Sequence, residues 1–357
     1  MRKNIIWFLL FLVIVFRYYS FRPVYKEADT VRISSVVAGE PVIYDSSQKI
    51  SLLGLNFYLP KYPEVGYGDR VVVEGKVVVK KGKYWLEKAN LISLTTTQGV
   101  LPLFRKKVIG FYKKTLPEPH SSLVAGVTLG SKADIPQDFR DELKTTGVTH
   151  VIVASGMNVT LVAGFFLSSL LLFVPRRKAI IIAFIGVWGY SFMAGFDAPI
   201  VRAAVMVSML FVAQMFGRVA SGIEILISSA ILMLIIKTEW LVDLGFWLSF
   251  CATASLMVFG KAFERFCRKV PGLLREGLST SLAAQIGVSP ILYYMFGYVS
   301  IVSPLVNALV LWTIPYITII GMVSGVLGVI IEPLGRLVLY LAYPLTAWFV
   351  FVIRVFA

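Results

Sequence analysis

From Val148 onward the apolar residues run almost without interruption. The blocks are too long and too uniform for the alternating or 3.6-residue stripes of a soluble core. They lie near 148–174, 179–196, 199–216, 219–236, 240–260 and 279–297, followed by a run at 299–331 and a last block at 336–357. One span needs about 20 apolar residues, so the 299–331 run is too long for a single crossing. It is also broken by Pro304, Pro315, Gly321, Gly325 and Gly328. The spacing predicts a polytopic α-helical membrane protein of about eight to ten spans. Composition agrees, with a mean hydropathy of +0.78 and 15% charged residues, where a soluble domain carries about 25%. Disorder, a collagenous repeat and a disulfide scaffold are excluded, the last by a count of two cysteines.

The formal charge of +15, from 35 Lys+Arg against 20 Asp+Glu, points to nucleic acid or anionic lipid. Much of this excess follows from the rule that cytoplasmic loops of multi-span proteins collect Lys and Arg. Arg176–Lys178, Arg218 and the loop carrying Lys261, Arg265, Arg268, Lys269 and Arg275 fall on one side of the predicted spans. Phe196–Pro199 and Lys237–Asp243, nearly neutral or acidic, fall on the other. The basic side is therefore expected in the cytoplasm. Residues 1–22 begin Met1-Arg2-Lys3, continue with an apolar stretch and end in aromatic and basic residues without a small-x-small cleavage site. They are read as an uncleaved membrane anchor with a cytoplasmic N-terminus.

Between these lies a stretch of different character. Residues 28–98 contain the Val-rich or alternating runs Thr30–Val37, Lys49–Leu59, Arg70–Val79 and Tyr84–Leu94, separated by turn chemistry such as Gly66-Tyr-Gly-Asp-Arg70. Four or five short strands predict a small extracellular β-barrel, with an OB-fold ahead of an SH3-like barrel. Residues 99–147 predict two amphipathic helices at the membrane surface. The first is basic (Arg105, Lys106, Lys107, Lys113, Lys114) and the second, Pro136–Thr146, starts with acid and stops at Gly147. Residues 148–357 form the transmembrane domain.

Charge facing lipid is costly, so polar residues within the spans should face protein or water. His150, Ser155, Asn158, Arg202, Asp243, Gln285 and Asn307 are the candidates for lining a passage, together with Gln214 and Glu224. Each also has a plainer reading. Arg202 and Asp243 lie close enough to span ends to snorkel, Ser155 fits small-residue helix packing, and the amides fit inter-helix hydrogen bonds. With His120 and His150 the only histidines, no His-rich metal site can be built. A His150/Ser155 dyad would not share a helix face, and Ser155 lacks a G-x-S-x-G elbow. No phosphate-binding lysine loop is present to power transport. No enzyme activity, cofactor or metal is expected.

The stretch Gly130–Gly164, GSKADIPQDFRDELKTTGVTHVIVASGMNVTLVAG, resembles the signature region of the ComEC family of competence proteins. Ala194–Ala203, Trp240–Phe250, Ser281–Gln285, Tyr293–Gly297 and Leu305–Leu309 are similar to later family segments, in the family's order. Gly68-Asp-Arg-Val-Val-Val-Glu-Gly75 resembles its OB-like domain. Two positions depart: Asn158 stands where the family has histidine, and Ser131 where many members have aspartate. The resemblance implies a short form, without the metallo-β-lactamase-like domain of longer members.

It further implies a channel in the bacterial cytoplasmic membrane that takes up single-stranded DNA in natural transformation. Implied partners are single-stranded DNA, membrane lipids, and a separate DNA receptor, nuclease and cytoplasmic ATP-driven motor; oligomeric state stays open. In this reading Tyr58, Tyr67, Tyr84 and Trp85 are candidate stacking platforms in the barrel, against the alternative that they are barrel core. Rival readings are a transporter of a lipid-linked or small anionic substrate using Glu224 or Asp243, an intramembrane serine hydrolase using Ser155, and a receptor that binds DNA without conducting it.

Overall fold

The computed structural model describes residues 14, 16, 17, 20, 25–37, 39, 41–44, 46–80, 83–97, 99–131, 135–152, 156–196, 198–218, 221–297, 300 and 302–357. The N-terminal anchor expected over 1–22 falls almost wholly outside these residues.

Six strands form the small domain: β1 (Thr30–Val36), β2 (Val42–Ile43), β3 (Ser47–Leu52), β4 (Leu55–Pro60), β5 (Arg70–Lys80) and β6 (Lys83–Thr95). Alternation sets their faces. Along β4, Leu55, Phe57 and Leu59 turn inward to join Ile50, Val71, Val73, Val77 and Leu86. Each such side chain contributes about 1.5–3 kcal/mol on full burial. Leu53 and Gly54 both have positive φ, which joins β3 to β4 by the two-residue turn whose twist suits a hairpin. That turn fixes the register Lys49↔Tyr58.

The strand order is β1-β5-β6-β4-β3-β2, with β4 and β6 parallel. This corrects the expected barrel. Closure needs a ladder between the two end strands, and among the described residues β1 pairs only with β5 and β2 only with β3. The sheet is open, and β2, two residues long, offers little edge to close it.

The rest is helical. First come α1 (Val100–Thr115), α2 (His120–Leu129), α3 (Gln137–Thr145), α4 (Thr149–Ile152) and α5 (Gly156–Leu170). Next are α6 (Arg176–Met193), α7 (Ala198–Met215), α8 (Gly222–Ile236), α9 (Leu244–Phe266) and α10 (Gly272–Phe296). The last are α11 (Ser303–Val310), α12 (Ile314–Ile330), α13 (Glu332–Tyr340) and α14 (Tyr343–Phe356).

Four stretches are long and apolar enough to cross a membrane: Thr149–Leu170, Ala198–Met215, Leu244–Lys269 and Ser303–Ile330. The pair α13–α14, bent by 45°, makes a fifth. Among the described residues this is fewer than the eight to ten expected, for identifiable reasons. The block at 219–236 yields a helix of 15 residues, the 299–331 run yields one 28-residue rod rather than two spans, and α6 opens on Arg176, Arg177 and Lys178.

That rod explains its own glycines. A Cβ on Gly325 would lie 2.5 Å from Tyr112 Oη, and one on Gly328 would lie 2.5 Å from the Phe111 ring. Gly321 likewise meets Thr128 Oγ1. At i, i+4 and i+7 these glycines make one bare face on which α1 and α2 seat. The basic helix α1 is accordingly docked in protein along Val108, Phe111 and Tyr112, with Tyr112 Oη donating to Gly321 O at 2.7 Å. Its lysines 106, 107, 113 and 114 stay exposed.

The sheet meets the helices through Tyr67. Its hydroxyl donates to Phe192 O at 2.8 Å, at the end of α6, and the Arg105 guanidinium lies 5.3 Å from its ring centroid.

Candidate functional site

Two groups of polar or aromatic side chains stand out, one on the sheet and one among the helices.

On the sheet, the face opposite the core carries an aromatic strip. Tyr58 on β4 lies across from Lys49 on β3, and Trp85 on β6 lies across from Asn56 on β4. Residues two apart on a strand share a face, so Tyr58 and Trp85 come together. Their rings stack at 5.7 Å with 17° between planes. Lys49 Nζ sits 5.1 Å from the Trp85 ring centroid, and Tyr44 flanks Tyr58 at 6.2 Å. Tyr58 is 48% exposed. A planar, half-exposed ring pair beneath an ammonium group can stack a flat heterocycle and attract an anion beside it.

The other two barrel candidates sit elsewhere. Tyr84, one residue before Trp85, faces the opposite way, packs on the sheet core and meets Tyr25 edge-on at 5.5 Å. Tyr67 is committed to the helical domain, as described above. Tyr44 and Lys49 escaped the sequence reading. The signal available was the Leu53-Gly54 turn, which sets Lys49 opposite Tyr58. Near the sheet edge, burial and behind it the charge of Glu239 raise the Tyr25 phenol above its ordinary pKa.

Among the helices, the expected lining residues divide. Asn158 is fully buried and its Nδ2 donates to Val127 O at 2.7 Å. Arg105 Nη2 reaches Leu129 O at 3.2 Å. Both carbonyls belong to the last turn of α2, which has no intrahelical partners for them. Gly130 follows in the left-handed conformation and ends the helix, Gly130 N donating to Gly126 O at 2.8 Å and Ser131 N to Ala125 O at 3.3 Å. Asn158 thus caps a helix.

Asp243 is exposed and caps α9, accepting from Phe246 N at 2.7 Å. Gln285 and Asn307 have separate partners near the junction of α10 and α11. Gln285 Nε2 donates to Ser300 O at 3.0 Å, and Asn307 Nδ2 donates to Ser281 Oγ at 2.8 Å and Ser303 Oγ at 3.3 Å. Ser303 Oγ in turn reaches Gly147 O, three residues before His150, which is exposed. Ser155 lies outside the described residues.

Arg202 is different. It is 91% buried, one turn into α7, with Nη1 donating to Thr253 Oγ1 of α9 at 2.7 Å. Its guanidinium lies 5.7 Å from the Phe250 ring centroid, and Nε has no partner. No carboxylate pairs with it among the described residues. Nor do those residues contain a group of three His, Cys, Asp or Glu able to hold a metal.

An open sheet with one aromatic face, attached to a helical domain with four or five helices apolar and long enough to cross a membrane, fits a membrane protein with an appended β-sheet module. Residues 127–357 match the family described as "Competence protein". The chain belongs to that family. It is 30% identical over 225 residues to ComE operon protein 3 of Bacillus subtilis (strain 168), covering 62% of this chain and 28% of the relative. Competence protein ComA of Neisseria gonorrhoeae is 26% identical over 216 residues, 56% and 30% of the two chains. An uncharacterized protein of Aquifex aeolicus (strain VF5) is 27% identical over 274 residues, 75% and 63%. The matches span about a quarter to two thirds of these relatives' lengths. No solved structure matches the chain.

Proposed function

We propose that this chain takes part in DNA uptake as the membrane path for single-stranded DNA, with the sheet as the surface that receives the strand. The observation that carries this reading is the Tyr58–Trp85 stack under Lys49. Stacking on aromatic rings is how proteins hold single strands without reading their sequence. Membership of a competence family supplies the biological setting. In this reading the chain sits in the cytoplasmic membrane of a bacterium and works with a separate receptor, nuclease and ATP-driven motor.

The course of the helices supports a sidedness for this path. The sheet touches the end of α6 at Phe192, so Arg176, at its start, lies about 24 Å away along the axis at 1.5 Å per residue. Alternating along α7, α8 and α9, Arg218 and the Lys261–Arg275 loop come to the same far end. We therefore place the basic end in the cytoplasm and the sheet outside.

The test is uptake by vesicles holding the purified chain. Labelled single strands are added outside and the nuclease-protected fraction is compared with empty vesicles and with a Tyr58→Ala/Trp85→Ala double variant. Protection that falls in the double variant is expected. Strands that bind the full chain but never gain protection would leave a receptor rather than a path.

A further inference from the structure

A guanidinium in an apolar surrounding is held there by a counter-charge or by water. Arg202 has no carboxylate among the described residues. Its polar partners are the Thr253 hydroxyl and the weak acceptor Met206 Sδ, 3.4 Å from Nη1, while Nε donates to nothing. The surroundings fix the group in place. Phe250 lies under it, and a Cβ on Gly156 would come within 2.6 Å of Nη2. Glycine at 156 is therefore what allows the fork to lie against the backbone of α5. Three helices (α5, α7 and α9) converge on one cation that no carboxylate among the described residues neutralises.

Its position adds meaning. Arg202 lies four residues from the start of α7, so about 6 Å along the axis from the end that carries the sheet. A planar fork whose Nε donor is unused among the described residues suits a phosphate oxygen better than a point charge would. We propose that Arg202, braced by Thr253 and given room by Gly156, is a phosphate-binding site inside the helical domain that takes the phosphodiester backbone of a single strand just below the sheet. This rests on the DNA reading above and gives it a second, separate contact.

The experiment measures binding of a labelled oligonucleotide to the full chain in detergent across a salt series. A phosphate neutralised on a single strand contributes about 0.7 to the slope of log K against log salt. Arg202→Met, which suits the apolar surroundings, is expected to lower the slope by about that amount, while Arg202→Lys keeps it. A buried cation kept only for its ligand costs the free protein stability. The Met variant should therefore melt at the same temperature as the parent or higher.

An unchanged slope in Arg202→Met overturns the site. So does a lower melting temperature with the slope intact, which would make Arg202 structural. Loss of co-purifying anionic lipid with the slope intact would assign the charge to a lipid headgroup instead. Should the parent chain bind no single strand at all, the DNA reading falls and this site with it. Binding that survives Arg202→Met unaltered removes the site alone.

Discussion

At the scale of single residues, a polar side chain in an apolar stretch is interpretable only once its partner is known. Asn158 looked like a lining residue, yet its amide caps the last turn of α2 from 31 residues away. Nothing local in the sequence announces that contact. Asp243 looked like a membrane carboxylate and is a helix cap whose donor, the Phe246 N–H, sits three residues on. That pattern was legible, since an aspartate just before an apolar run is an N-terminus signal. The aromatic candidates separate for a geometric reason. Strand parity alone puts Trp85 and Tyr84 on opposite faces, but no parity rule reaches Tyr67, which lies in a turn. In the full chain, Tyr58→Ala or Trp85→Ala should weaken oligonucleotide binding by about 5- to 150-fold, the range of about 1–3 kcal/mol per stacked base. Tyr84→Ala should instead lower the melting temperature and leave affinity nearly unchanged. Fluorescence anisotropy and thermal unfolding separate the two, and equal loss of affinity in all three variants would dismiss the face as a platform.

At the scale of elements, strands and helices were readable from periodicity while their arrangement was not. The β3–β4 hairpin follows from a two-residue turn, but the neighbour of β4 on its other side is β6, in parallel, nearly thirty residues later. A barrel was therefore a fair expectation from strand count, and an open sheet is what the pairing yields. The glycines of α12 illustrate the opposite error. Read as interruptions, they suggested a broken span; their spacing of four and three marks a continuous helix with one bare face. Gly325→Val should force Tyr112 and Val108 apart, at a cost of about 1–3 kcal/mol for overpacking a filled site. Gly164→Val, on α5 with nothing within 4 Å of its Cβ position, is the control and should melt as the parent does. A Gly325→Val chain as stable as the control would mean that α1 does not seat on α12 as described.

At the scale of the whole molecule, the charge distribution and the helix order make one joint statement about sidedness. The basic loops were identified in the sequence by composition and the sheet's contact with α6 by geometry, and the two mark opposite ends of that helix. Native Cys267 cannot report on this because it is 3% exposed. An exposed neighbour can. With the native cysteines removed, Arg268→Cys should react with a membrane-impermeant thiol reagent only after cells are opened. Glu87→Cys, exposed on β6, should react in intact cells. The pair must differ, because α9 separates the basic loop from the end that carries the sheet by 23 residues, about 35 Å at 1.5 Å per residue, enough to cross a hydrocarbon core of about 30 Å. Labelling of both positions from the same side would require the α9 rod to lie along the membrane, and with it the proposed Arg202 site would lose its place between the sheet at one end of the helices and the basic loops at the other.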